Sequence, residues 1–263
     1  MEALSDFFKA GGTHAVLCHV PYAEVPITSG ADFRTSYEIT YRMAERANRE
    51  GPVKVMVTVG PYPVLLLGLA ERIGLPRAVE AMKEGMEAAQ RAVLEGLAVG
   101  IGEVGRPHFP VGPEIWEASN EVLSYGMSLA AEAGCPIVLH TESADPAVMA
   151  DLAHMADRAG LHRDRVIKHY SPPLVREGEN HGLVPSVLAS RPAILEALSK
   201  GHRFLMETDY LDEPSRPGAV MNINTVPKRT NALVTSGAMS EEAAWNIHCA
   251  LPERLYGVKI ERP

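Results

Sequence analysis

Residues Ala98–Gly105 read AVGIGEVG. The run is apolar, bounded by glycines, and carries one carboxylate, Glu103, before a turn at Gly105. A short strand that is apolar throughout is the pattern of a parallel strand buried on both faces. Three further runs repeat the design: CPIVLH (Cys135–His140), RVIKH (Arg165–His169) and RFLMETD (Arg203–Asp209). Each ends on a histidine or a carboxylate. In a parallel α/β barrel the C-terminal strand ends ring a single opening. The pattern therefore predicts that Glu103, His140, His169 and Asp209 converge. Two imidazoles and two carboxylates at one point form a donor set for a divalent metal ion.

Strands and helices alternate on either side of this run. Further strands are expected at Thr13–His19, after Pro52 in VKVMVTV, and at Gly182–Val187. Helices are expected at Ser5–Ala10 (Ser5 as N-cap), Thr35–Arg49, Val64–Ile73, Pro76–Leu97, Pro113–Ala133, Pro146–Ala159, Pro192–Ser199, Ser240–Cys249 and Pro252–Tyr256. The segments SPPLVREGEN and EPSRPGAVMNINTVPKRT read as loops. Alternation of this kind means a parallel sheet with helices outside it. The expected fold is α/β, a TIM-type (β/α)8 barrel spanning residues 1–263 as one domain and lacking its first strand. Thr13–His19 then takes the second barrel position. A gap is expected between it and the strand ending at Asp209, filled by N-terminal residues or by a partner subunit.

The 263 residues match the roughly 250 that such a barrel takes. The net charge of −8 gives no basic footprint for broad nucleic-acid binding. The apolar strands are too short to cross a membrane, and the N-terminus lacks the basic-then-apolar order of a signal peptide. Three widely spaced cysteines argue for a reducing compartment, so a cytoplasmic protein is expected. Oligomerisation stays open.

Asp209 is the expected proton acceptor as well as a ligand, since a last-strand carboxylate can take the proton of a metal-activated water. Glu207 should point away from it, because side chains alternate along a strand; Glu207 and Asp212 are its alternates. His19 also ends a strand and stands between a supporting and a direct role. Arg106, His108, Lys228 and Arg229 are weaker candidates for substrate binding, able as a group to hold phosphate. Lys168 should point out of the barrel into solvent. The remaining histidines read as structural or exposed.

The ordered set GEVG, VLHTES, IKHYS and METDY resembles the TatD-related branch of the amidohydrolase superfamily of metal-dependent hydrolases. The run RPGAVMNINTVPKRT is similar to archaeal TatD-related proteins. The resemblance implies a barrel with one or two divalent ions (Zn, Mg or Mn) at its mouth. It implies that Glu103 bridges two metals, that His140 and His169 bind the second, and that Asp209 binds the first together with water. Two features depart from the family pattern. No His-x-His occurs in the N-terminal part, and Gly60-Pro61-Tyr62-Pro63 replaces the usual GxHP. The activity implied is hydrolysis of a phosphodiester or phosphate ester, small-molecule or nucleic-acid, with deoxyribonuclease as one form. The alternatives are hydrolysis of a C–N bond or lactone, and a non-catalytic metal- or ligand-binding barrel.

Overall fold

The structure is a computed structural model that describes residues 1–211 and 220–260. Among these residues seven strands form one parallel sheet, in the order in which the chain makes them. They are β1 (His14–Cys18), β2 (Lys54–Val59), β3 (Gly100–Gly105), β4 (Ile137–His140), β5 (Val166–Ser171), β6 (Val184–Leu188) and β7 (Leu205–Glu207). The helices are α1 (Glu2–Lys9), α2 (Gly30–Glu50), α3 (Leu65–Ile73), α4 (Leu75–Leu94), α5 (Pro113–Ala133), α6 (Pro146–Arg158), α7 (Glu177–Asn180), α8 (Arg191–Lys200), α9 (Thr225–Thr235), α10 (Glu241–Trp245) and α11 (Leu251–Tyr256). The sheet curls as in a TIM barrel but stays open: among the described residues β1 and β7 are its ends and do not pair.

Four elements differ from the sequence expectation. Ser5 lies inside α1, which begins directly after Met1. α2 starts earlier than Thr35, because Asp32 Oδ2 accepts the amides of Thr28 and Ser29 at 2.8 Å each. That closes a capping arrangement with Ser29 as N-cap. The two proline-rich segments read as loops hold α7 and the first half of α9. Pro227 falls in the first turn of α9, where its missing N–H would have had no intrahelical partner.

Alternation along the strands sends side chains to two cores. Ile137, Leu139 and Val166 face the outer helices. Val138, Ile167, Val184 and Leu205 face inward, against Leu251 and Leu255 of α11. The C-terminal helix thus covers the inner face of the open sheet. Burying each of these leucines is worth about 1.5–3 kcal/mol. Arg165 ties α11 to the start of β5 by donating to the carbonyls of Arg254 and Leu255 at 3.1 and 2.8 Å. The expected N-terminal filling is therefore corrected: a C-terminal helix packs inside, because it carries apolar residues four apart that fit the inner stripe. α1 is joined to α9 instead, through Asn231 Nδ2 to the Ala10 carbonyl at 3.3 Å. No described helix is long and apolar enough to cross a membrane.

Candidate metal centre

Two of the four predicted ligands sit on interruptions of the strand ladder. Gly102 pairs with Val138, but the next pair is Val104 with Leu139, so Glu103 is an extra residue in β3. On β5 the pairing jumps from Lys168–Pro185 to Ser171–Val187, which leaves His169 and Tyr170 in a bulge. Bulges re-aim side chains that regular alternation would send elsewhere. Among the described residues, two of the three non-glycine residues with positive φ lie at this centre, Tyr170 at 52° and Asp209 at 51°. Gly105 permits the close approach of β3 to β4: with φ of +148°, a Cβ there would stand 2.1 Å from the His140 carbonyl oxygen.

Glu103, His140 and His169 converge, with one ligand atom from each lying within 4.8 Å of the others. Glu103 Oε2 is 3.4 Å from His140 Nδ1, and Glu103 Oε1 is 3.6 Å from His169 Nε2. The two imidazoles stack with centroids 5.7 Å apart. Asp209 stands beside this trio, its Oδ1 3.7 Å from His169 Nε2.

The surrounding groups orient both rings. His169 Nδ1 lies 3.0 Å from Glu207 Oε1. Glu207 also accepts the Tyr170 amide at 2.8 Å and the Ser186 hydroxyl. This corrects the expectation that Glu207 points away. β7 ends at Glu207, so alternation makes Glu207 face inward with Leu205 and stops before Asp209. The left-handed backbone at Asp209 then brings its carboxylate to the same side. His140 Nε2 lies 3.2 Å from the Tyr62 hydroxyl and 2.9 Å from His108 Nδ1. Tyr62 was missed because the GPYP run shows no ionisable signal; a tyrosine in place of a histidine after β2 was the available clue.

Charge in the site follows from burial and neighbours. Burial pushes the Glu103 carboxyl up, but His140, His169 and Lys168 outweigh it and hold the group below its ordinary range. Burial, Glu103 and Glu207 raise Asp209. Burial lowers His169, yet Glu207, Glu103 and Asp209 carry it to about 9.

The residues fit a divalent ion on two observations. His140 Nδ1 is buried without a hydrogen-bond partner. An orphaned buried nitrogen is costly unless something binds it. His169 has one nitrogen fixed by a carboxylate and the other turned to Glu103, which is how metal-ligating histidines are held.

Other expected site residues fall elsewhere. Arg106 is 2% exposed. Its guanidinium is taken by Glu142 at 2.5 and 3.1 Å, Asp151 at 2.7 Å and Asn120 at 3.2 Å, and it stacks 4.5 Å above the Trp116 ring. It is an internal clamp and not a substrate contact. His19 is likewise buried, with its nitrogens at Thr40 (2.9 Å) and Ser36 (3.3 Å). Lys168 is buried rather than solvated; its Nζ donates to the His169 carbonyl at 2.5 Å, and burial lowers its pKa to about 8. Arg229 donates to the Ala189 carbonyl at 3.2 Å, and Lys228 is exposed on α9. His108 alone of the weaker candidates lines the centre. Asp212 lies outside the described residues.

The family model described as "TatD related DNase" matches residues 1–257. The chain belongs to the TatD-related DNase family. The uncharacterized protein MJ1127 of Methanocaldococcus jannaschii is a 38% identical relative over 256 residues, 97% of this chain and 89% of its own. Among solved structures, this TatD-family chain overlays the TatD-like protein AF1765 of Archaeoglobus fulgidus with a TM-score of 0.63 at 14% identity, over 98% of this chain and 94% of that one. It overlays the phosphotriesterase homology protein of Escherichia coli, complexed with phosphate in its active site, with a TM-score of 0.64 at 13% identity, over 97% and 88%. These likenesses show the TIM-like TatD fold.

Proposed function

We propose that this TatD-family chain is a metal-dependent hydrolase acting at the Glu103–His140–His169 centre. The observation that carries the reading is the buried, unpartnered His140 Nδ1 facing Glu103, opposite an His169 ring already oriented by Glu207. A divalent ion held by these three would polarise a scissile bond and bring the pKa of a water molecule toward neutrality. Glu207 keeps His169 turned to the centre. Tyr62 and His108 keep His140 there. Asp209, next to the trio and raised in pKa, takes the proton of the attacking water. It stands at the centre both as this base and as a fourth ligand.

A phosphodiester or phosphate ester, from a small molecule or a nucleic acid, is the first bond to test, on the strength of the family match. The second reading, an amide or lactone, has an observation in its favour: Arg106 is saturated within the protein and offers nothing to a phosphate. The three scattered cysteines support a reducing, cytoplasmic setting for this reading. The test is metal-depleted protein reconstituted with Zn, Mg or Mn and assayed on bis(4-nitrophenyl) phosphate, single-stranded DNA, anilides and lactones. Metal-dependent turnover abolished by His140→Ala is expected. Metal binding without any turnover would leave a binding barrel.

A further inference from the structure

Rigid neighbours place Tyr62 at the centre. β2 ends at Val59, and Gly60 lets the chain press onto β3: a Cβ there would stand 2.4 Å from Val104 Cγ1 and 3.1 Å from the Gly102 nitrogen. Pro61 and Pro63 restrict the backbone on either side of the tyrosine. Its half-buried ring lies 4.9 Å from that of His140, centroid to centroid. Glu103 and Asp209 both act on its hydroxyl through space, so the hydroxyl shares the opening that those carboxylates face. Among the described residues, its only hydrogen-bond partner is His140 Nε2, at 3.2 Å.

What Nε2 can do depends on where the ring carries its proton. A neutral imidazole has one N–H and one lone pair. In the metal-free protein Nδ1 faces Glu103 Oε2 at 3.4 Å. The proton therefore belongs on Nδ1, toward the carboxylate, and Nε2 accepts from the Tyr62 hydroxyl. Once Nδ1 gives its lone pair to an ion, the proton sits on Nε2 instead. Nε2–H is then a donor, with His108 Nδ1 2.9 Å away to accept it. Whichever neighbour takes that proton, the Tyr62 O–H has lost its acceptor. A phenol keeps its own proton to about pH 10, so at neutral pH the released O–H is a donor standing one imidazole ring from Nδ1.

We propose that the Tyr62 hydroxyl is a substrate-binding donor, released from His140 by metal loading, that hydrogen-bonds an oxygen of a tetrahedral oxyanion at the centre. A phosphate ester carries such oxygens, and the tetrahedral adduct of an amide or lactone acquires one. The inference rests on the metal centre proposed above and is independent of which bond is broken there.

The test uses the full chain, metal-free and zinc-loaded, with phenylphosphonate as a probe that has tetrahedral oxygens and no ester bond. NMR of tyrosine labelled with 13C at Cζ follows the phenol, and 15N in histidine reports which ring nitrogen is protonated. Zinc loading of the wild type should put the His140 proton on Nε2 and shift the Tyr62 signal; phenylphosphonate should shift that signal again. Tyr62→Phe should bind zinc within about twofold of the wild type, because His108 still holds Nε2, and phenylphosphonate about tenfold more weakly. A His140 proton that stays on Nδ1 after zinc is bound, a Tyr62 signal indifferent to phenylphosphonate, or equal phosphonate affinities in the two proteins would overturn the donor. Zinc and phosphonate affinities that fall together would overturn it as well, since Tyr62 would then only hold the ring. The wild-type signals decide even where the variant fails to fold. Hydrolysis of bis(4-nitrophenyl) phosphate and of an anilide is followed in parallel. The expected binding results with no turnover of either would support the donor and count against the hydrolase reading alone.

Discussion

Glu207 Oε1 stands 3.0 Å from Nδ1 of His169 and fixes which nitrogen of that ring faces Glu103. The carboxylate is itself pinned by the Tyr170 amide and the Ser186 hydroxyl, so it cannot swing to follow the ring. Orientation is therefore built outward from β6 and β7 and not only from the ligands.

Replacing Glu207 by Gln keeps the shape but removes the charge that holds a proton on Nδ1 of His169 and makes its other nitrogen more basic toward a metal. Metal affinity should fall about 10–100-fold. Competition with a chromophoric chelator measures it. An unchanged affinity would show that His169 is positioned by packing alone.

Asp209→Asn should act differently. Asp209 lies outside the three-atom cluster, 3.7 Å from His169 Nε2. If its work is proton transfer, turnover should drop about 10²–10⁴-fold while metal binding at the trio changes little. His140→Ala and His169→Ala should lose metal and activity together. Equal metal loss in all three variants would make Asp209 a plain ligand of that ion.

Arg106 was expected at the substrate and is instead an internal clamp. It joins Glu142, just past β4, to Asp151 of α6 and Asn120 of α5. Arg106→Ala leaves the part-buried Glu142 and the exposed Asp151 without their donor and removes the Trp116 stack. Because water can reach both carboxylates, the loss should fall below that of a fully buried pair, at about 1.5–3 kcal/mol. Urea unfolding should show a shift of that size. A variant of normal stability that has lost only substrate affinity would return Arg106 to the mouth.

What the sequence showed and hid follows physical lines. Strand ends at Glu103, His140 and His169 were legible because a buried parallel strand is apolar until its last residues. The seven strands were legible for the same reason. Glu207 does not point away because residues two apart on a strand share a face, which puts it on the side of Leu205 and Asp209, and backbone sign at Asp209 leaves no trace in composition. Arg106 and Lys168 were misread because a charged residue beside a strand end carries no mark of whether its partners lie in solvent or in the protein. The C-terminal helix was predicted as a helix, but nothing local tells that Leu251 and Leu255 turn inward to Val138 and Leu205.

His19 and His248 share one property, desolvation, that sets a pH dependence for folding. His19 is 2% exposed, and burial lowers its pKa from 6.5 to about 4. His248, packed against Thr230, is lowered to about 4 by the same cause. Between these values the unfolded chain binds protons that the folded chain refuses, so stability rises with pH across that window. Acidifying from about pH 6.5 to 4 should therefore weaken the fold, with His19 contributing on the order of 3 kcal/mol. His169 works in the opposite sense in metal-free protein. Its folded pKa is raised to about 9, so its contribution is complete below pH 6.5 and is lost as pH climbs through 9. The metal-free chain should thus be most stable near pH 6.5–7.5, between the two windows. His19→Gln, which cannot take up the proton, should flatten the acid limb and leave the alkaline limb in place. Urea midpoints measured from pH 4 to 9.5 for both proteins, with chelator present, give the comparison. An acid limb of the same steepness in the variant would mean that His19 is protonated in the fold and that its contacts with Thr40 and Ser36 survive the charge.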